Sequence, residues 1–196
     1  MNIVVLIAGV HDPKWPITPD GALGGAGEHR IMSPFDEAAL EMALRLRDAD
    51  PAVQIAVRVA GGEAAQRIAR TVAALNIAEV ATLAIDRAWD QSATAGALAP
   101  WAAEADLILI GREFGDFDDG LVPALLAAML GVPFFGRAQT VSVQTVSAQT
   151  VSGQGGAVLL REAGPYAETL ALSGRLLASV TNDRRTRLRK PLMKNV

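Results

Sequence analysis

The sequence predicts a doubly wound α/β protein: a mostly parallel sheet with helices on both faces, followed by added antiparallel strands near the carboxyl end. Three observations predict it. Asn2–Ala8 (NIVVLIA) and Asp106–Ile110 (DLILI) are nearly continuous apolar runs, the pattern of strands buried on both faces. Strand-like and helix-like segments alternate from residue 2 to residue 130, with short connections after the first. After Val132 the helical period disappears and short β-type runs follow.

Each element has its own warrant. His11–Arg30 is rich in Pro and Gly and reads as a long loop. Ser33-Pro34-Phe35-Asp36 opens a helix: Ser33 suits the cap, Pro34 the first helical position, and Asp36 completes a capping box. That helix extends to about Arg47 with a broad apolar face. Val53–Ala60 alternates and is β-branched, so it is a strand, and Gly61-Gly62 turns the chain into a helix over Glu63–Leu75. Val80–Ile85 is a third strand. Gln91–Glu104 is helical, with Pro100 expected to kink or split it. Leu121–Leu130 is an apolar helix closed by Gly131.

Three Gln-Thr-Val-Ser copies begin at Gln139, Gln144 and Gln149. A period of five puts successive copies on opposite faces of a strand, which predicts a hairpin or bulge. Ala157–Arg161, Ala167–Leu172 and Leu177–Thr181 read as short strands, with turns at Gly153–Gly156 and Gly164-Pro165.

Composition excludes whole classes of chemistry. The absence of cysteine removes disulfides, zinc–cysteine sites, iron–sulfur clusters and thiol catalysis. The two histidines, His11 and His29, lack the spacing of a helical metal site. A net charge of -3 offers no basic field for nucleic acid. The first residues lack the basic start of a signal peptide, and Leu121–Gly136 is short for a membrane span and cut by Pro123 and Pro133. A soluble cytoplasmic protein is expected. Six of the 18 Lys and Arg lie in residues 182–196, against one of the 21 Asp and Glu. Residues 1–181 therefore read as one domain and 182–196 as a basic tail that docks on a partner.

In an open parallel sheet, ligands sit beyond the carboxyl ends of the strands, where strand order reverses. The loops there follow Ala8, Ala60 and Ile110, and the helix start at Ser33 opens toward them with amides that favour an anion. The loop Gly111–Gly120 (GREFGDFDDG) places Asp116, Asp118 and Asp119 between a buried strand and a buried helix. Three readings stand side by side. The carboxylates grip ribose hydroxyls while the helix start holds a phosphate. They hold a hard metal ion, though without the spacing of a calcium loop. Or the loop is solvated, with Asp119 capping the next helix. Gly21–Gly27 (GALGGAG) departs from a dinucleotide fingerprint, because no buried strand precedes it and Arg30 stands where a third Gly belongs. No nucleophile elbow or P-loop lysine is present.

Four blocks carry a resemblance to a known family: NIVVLIAGVHD (2–12), MSPFDEAALEMALRLR (32–47), DLILIGREFGDFDDGLVPALLAAMLGVP (106–133) and the Val180–Lys194 segment. In this order they resemble the β subunit of electron transfer flavoproteins, a Rossmann-like fold of adenine nucleotide-binding type. The resemblance implies an electron-carrier subunit that performs no bond-making catalysis itself. It would pair with an α subunit bearing the redox-active FAD, hold AMP or a second FAD, and receive electrons from flavin dehydrogenases. It assigns cofactor contacts to Leu6, Ser33, Pro34, Phe35, Asp36, Ala60, Gly61, Gly111, Asp116, Asp118, Asp119, Gly120, Leu121 and Val122. It assigns partner docking to Arg185, Leu188, Met193 and Lys194, with Leu188 one residue off the family position.

The chain also departs from the family pattern. Ser33 replaces the usual Asn, Ala8-Gly9 stands where a basic pair is common, and Leu121 and Pro123 replace a polar residue and a Gly in the phosphate loop. Pro123 removes one backbone N–H. The sequence ends soon after Met193-Lys194, so contacts to an α subunit are expected to be fewer or different. Two other readings stay open: a stand-alone adenine-nucleotide-binding module, and a β-like scaffold that has lost its nucleotide.

Overall fold

The computed structural model describes residues 1–15, 29–85, 90–143 and 157–191. The Gly21–Gly27 run, Trp89, the second and third Gln-Thr-Val-Ser copies, the Gly153–Gly156 turn, Met193 and Lys194 lie outside the described residues.

The described elements are β1 (Asn2–His11), β2 (Arg30–Met32), α1 (Pro34–Ala49), β3 (Gln54–Ala60), α2 (Glu63–Ala73), β4 (Glu79–Leu83), α3 (Gln91–Ala102), β5 (Leu107–Gly111), α4 (Leu121–Leu130), β6 (Phe134–Ala138), β7 (Thr140–Val143), β8 (Ala157–Ala163), β9 (Tyr166–Ala171) and β10 (Leu176–Val180). The main sheet runs β4-β3-β1-β5-β10-β6, all parallel along this path. Short β2 adds antiparallel to the end of β1, with Gly9 opposite Met32 and His11 opposite Arg30. Strand order reverses between β1 and β5, so that edge is the switch point.

The central strands are apolar on both faces because both faces are covered. Ile3, Val5 and Ile7 face α1 and α2, whereas Val4 and Leu6 face α3 and α4. A second sheet, β7-β8-β9, is antiparallel, and its β7 and β8 pack Val141 and Leu159 into the α1 side of the core. Gly164-Pro165 turns β8 into β9, with Gly164 in the left-handed region at φ 63°. The first Gln-Thr-Val-Ser copy lies in β7, which pairs antiparallel with β8 from Thr140 opposite Leu160; the hairpin or bulge expected between the copies falls outside the described residues.

Three local findings differ from the sequence expectations. Arg30–Met32 forms a short strand at the end of the stretch read as loop, and His11 at its start belongs to β1; the β1 ladder holds the two together. The helix α3 continues through Pro100, which sits in its last turn and so costs one hydrogen bond without splitting the helix. The last short strand, β10, is not part of the antiparallel group. It inserts between β5 and β6, and a register shift there lets the Arg137 N–H (φ 62°) donate to the buried Ser179 hydroxyl at 3.0 Å.

The basic segment folds onto the body. Asp183 caps a short 3-10 turn at Arg184–Thr186, Thr186 is buried, and Leu188 packs against the α1 side of the core. Arg189 donates to Glu41 of α1 at 3.0 Å and to Asp48 at 2.5 Å. No helix among the described residues is long and apolar enough to cross a membrane.

Candidate functional site

The carboxyl edge of the sheet gathers the ends of β1, β3 and β5 with the starts of α1, α2 and α4. Each helix start leaves four backbone N–H groups without an intrahelical acceptor, and their partners decide what the edge can bind.

At α1 the capping box forms as the sequence predicts. The Ser33 hydroxyl accepts from the Asp36 N–H at 3.0 Å, and the Asp36 carboxyl accepts from the Ser33 N–H at 3.2 Å. Pro34 has no N–H to offer. Asp36 is fully buried, and its other oxygen, Oδ1, has no hydrogen-bond partner. That oxygen sits against Gly111, where a Cβ would lie 2.9 Å from it and 3.1 Å from the Phe35 Cβ. Burial is the main cause that pushes the Asp36 carboxyl up to about 7; the contacts with Ser33 and the nearby Ala8 backbone, the latter outside hydrogen-bond geometry, oppose it.

At α4 the arrangement is different. The Asp118 carboxylate is 8% exposed and accepts four backbone N–H groups. Oδ2 takes Phe114 at 2.8 Å, and Oδ1 takes Gly120 at 3.0 Å, Leu121 at 2.8 Å and Val122 at 3.1 Å. Gly120 is the cap of α4, with φ 100°, so Leu121, Val122 and Pro123 are the first three helical residues. Three of the four end amides thus go to Asp118, and Pro123 lacks the fourth. Asp118, and not the exposed Asp119, closes this helix.

Asp116 pins the same loop to the other side of the switch point. Its carboxylate accepts the His11 N–H at 2.9 Å and pairs with Arg30 at 2.8 Å. Arg30 is buried and also donates to the Gly9 carbonyl. Gly115 lies over Ala8, with its notional Cβ 3.6 Å from the Ala8 side chain. The acidic loop therefore crosses the end of β1. Arg112 pairs with Glu113 and lies 5.3 Å over the Phe35 ring.

The edge therefore brings together Ser33, Phe35, Asp36, Gly111, Asp116, Asp118 and Gly120, with Pro34, Leu121 and Val122 at the first helical positions. Ala60 ends β3 beside them and Gly61 follows it; the Gly61 N–H donates to Leu83 O at 3.0 Å, and α2 then starts at Gly62 without a side-chain cap. Leu6 is an exception: its side chain is buried in the core facing α3 and α4. Arg185 is engaged within the chain, by Asp183 at 2.8 Å and Glu162 at 3.1 Å, and this pairing holds Asp183 down at about 2. Sequence reading did not single out Arg30 and His11 as partners of Asp116; the only signal was a lone Arg before the apolar pair Ile31-Met32. Among the described residues no group of three potential metal ligands converges. A groove at the opposite edge, between the amino ends of β1 and β3 and the last turn of α3, includes Arg58 and Trp101 but none of these residues.

Fold and edge together define a class: a parallel α/β domain whose ligand-type switch point is spanned by an acidic loop. The chain belongs to the electron transfer flavoprotein domain family, whose model matches residues 23–169. It is 32% identical over 136 residues to the electron transfer flavoprotein subunit beta of Syntrophomonas wolfei, covering 68% of this chain and 54% of that protein. It is 35% identical over 130 residues to the subunit of the same name from Megasphaera elsdenii, covering 60% and 48%. It is 30% identical over 138 residues to the caffeyl-CoA reductase-Etf complex subunit CarD of Acetobacterium woodii, covering 67% and 50%. The likeness is thus to β-type subunits, and the chain spans about half the length of the curated relatives it matches.

Proposed function

We propose that the protein is the β-type half of a cytoplasmic electron transfer flavoprotein, paired with an α-type subunit that carries the redox-active FAD. Its own work is to complete and position that flavin site and to admit electron donors of the flavin dehydrogenase class. Bond-making catalysis is not part of this role. The observation that carries the reading is the family match over residues 23–169, which includes the acidic loop and both helix starts of the switch point. In this reading the flavin supplies one-electron and two-electron chemistry, and the protein tunes and shields it.

The same reading would have an adenine nucleotide, AMP or a second FAD, lie against Ser33–Asp36, Gly61 and the Gly111–Val122 segment, as the resemblance implies. A second reading, a β-type subunit without a bound nucleotide phosphate, is favoured by the saturated amides at the start of α4. Docking of dehydrogenases would use the basic segment. There Arg184, Arg187 and Lys190 are exposed, Arg185 is held by acidic neighbours, and Leu188 offers only its uncovered side.

Co-expression with an α-type subunit tests the assignment. The expected result is a co-purifying pair with a flavin absorbance spectrum that bleaches when a donor dehydrogenase and its substrate are added. Failure of the two chains to associate, with each folded alone, would refute it.

A further inference from the structure

We propose that Asp118 is the resident anion of the α4 helix start. Together with Pro123 it excludes a phosphate group from the switch point, so the edge takes at most the uncharged adenosine part of a nucleotide. The β-type reading supplies only the ligand to consider.

A helix start binds phosphate because several N–H groups point outward with no acceptor and because the dipole favours negative charge. Here the chain's own carboxylate already supplies the acceptor and the negative charge. Oδ1 of Asp118 takes Gly120, Leu121 and Val122, and Pro123 has no N–H. A phosphate would have to displace a buried carboxylate from four amides and leave that charge unpaired, or share the donors with it at close range. The side chain of Val122 brings no hydroxyl to compensate.

Across the switch point, the start of α1 offers little in exchange, and the uncapped start of α2 lies one strand further out, beyond β3. At α1 the Ser33 and Asp36 amides are used within the capping box and Pro34 has none, which leaves the Phe35 N–H as the only first-turn donor without a protein acceptor among the described residues. The two cations nearest the loop, Arg30 and Arg112, are paired with Asp116 and Glu113. Asp116 and Asp118 are therefore structural members of the loop.

The test compares AMP with adenosine on the full wild-type chain, by calorimetry or equilibrium dialysis, and then on Asp118→Ala. Wild type should bind AMP no tighter than adenosine, within about twofold, or bind neither at millimolar concentration. A tenfold preference of wild type for AMP overturns the proposal. Asp118→Ala frees four amides, three of them at the start of α4, so its thermal midpoint should rise with inorganic phosphate, and AMP should gain at least tenfold over adenosine. A folded variant with no such gain also overturns it. Asp118→Asn keeps the acceptor oxygen and should show no gain; a gain equal to that of the Ala variant would assign the exclusion to charge and reject occupancy of the amides. If the Ala variant does not fold, the wild-type comparison and the Asn variant still decide. Association with the α-type subunit is scored separately, so failure of the β-type reading and failure of this proposal remain distinct.

Discussion

Asp36 and Asp118 are two buried carboxyls at two helix starts on one sheet edge, and they face opposite circumstances. Asp118 has four N–H donors, and both of its oxygens are used. Asp36 has one donor in hydrogen-bond geometry on one oxygen, while the other is buried against Gly111 without a partner. At Asp36 burial is the main cause that raises the carboxyl, and its few donors do not offset it. A saturated carboxylate holds a loop together, whereas a starved one keeps its proton to about pH 7.

The contrast breaks first at Asp118. Asp118→Ala leaves four backbone donors without their acceptor, and urea unfolding should show a loss of roughly 3–4 kcal/mol. Asp119→Ala on the exposed neighbour should stay within about 0.5 kcal/mol. Equal costs at the two positions would remove the structural role assigned to Asp118.

The second effect is a pH slope. Native Asp36 stays protonated to about 7, while in the unfolded chain its ordinary value is 3.8. The native state therefore binds more protons between these values, so this group lowers stability as pH rises through the interval and adds no further change above it. From pH 5.5 to 7 the loss is about 2 kcal/mol. Asp36→Asn should flatten that part of the stability profile. An unchanged slope in the variant would show that Asp36 titrates elsewhere.

The smallest effect is at the tail. Arg189 is 38% exposed where it meets Glu41 and Asp48, so solvent screens much of the pairing. Arg189→Ala should cost about 0.5–1 kcal/mol at low salt and less at high salt. A salt-independent cost would point to packing of the arginine stem instead.

Much of the fold was legible in the sequence because it rests on local pattern. The apolar runs of β1 and β5, the alternation in β3 and the Ser33-Pro34 start of α1 each announce themselves within a few residues. What depended on distant partners was not legible. Arg30–Met32 is too short to show a strand period and exists because β1 extends past the sheet to meet it. The short strand β10 (Leu-Leu-Ala-Ser-Val) gives no sign of its insertion between β5 and β6. At the site, the acidic loop stood out, but adjacent Asp118 and Asp119 are equivalent as letters. The left-handed turn at Gly120 carries the first amides of α4 back onto Asp118 and leaves Asp119 in solvent.

Amide hydrogen exchange of Gly120, Leu121 and Val122, followed by NMR with and without saturating AMP, tests the resident-anion account most directly. Protection already present in the ligand-free protein, and unchanged by AMP, is the predicted result. Amides that exchange freely until AMP is added would contradict it.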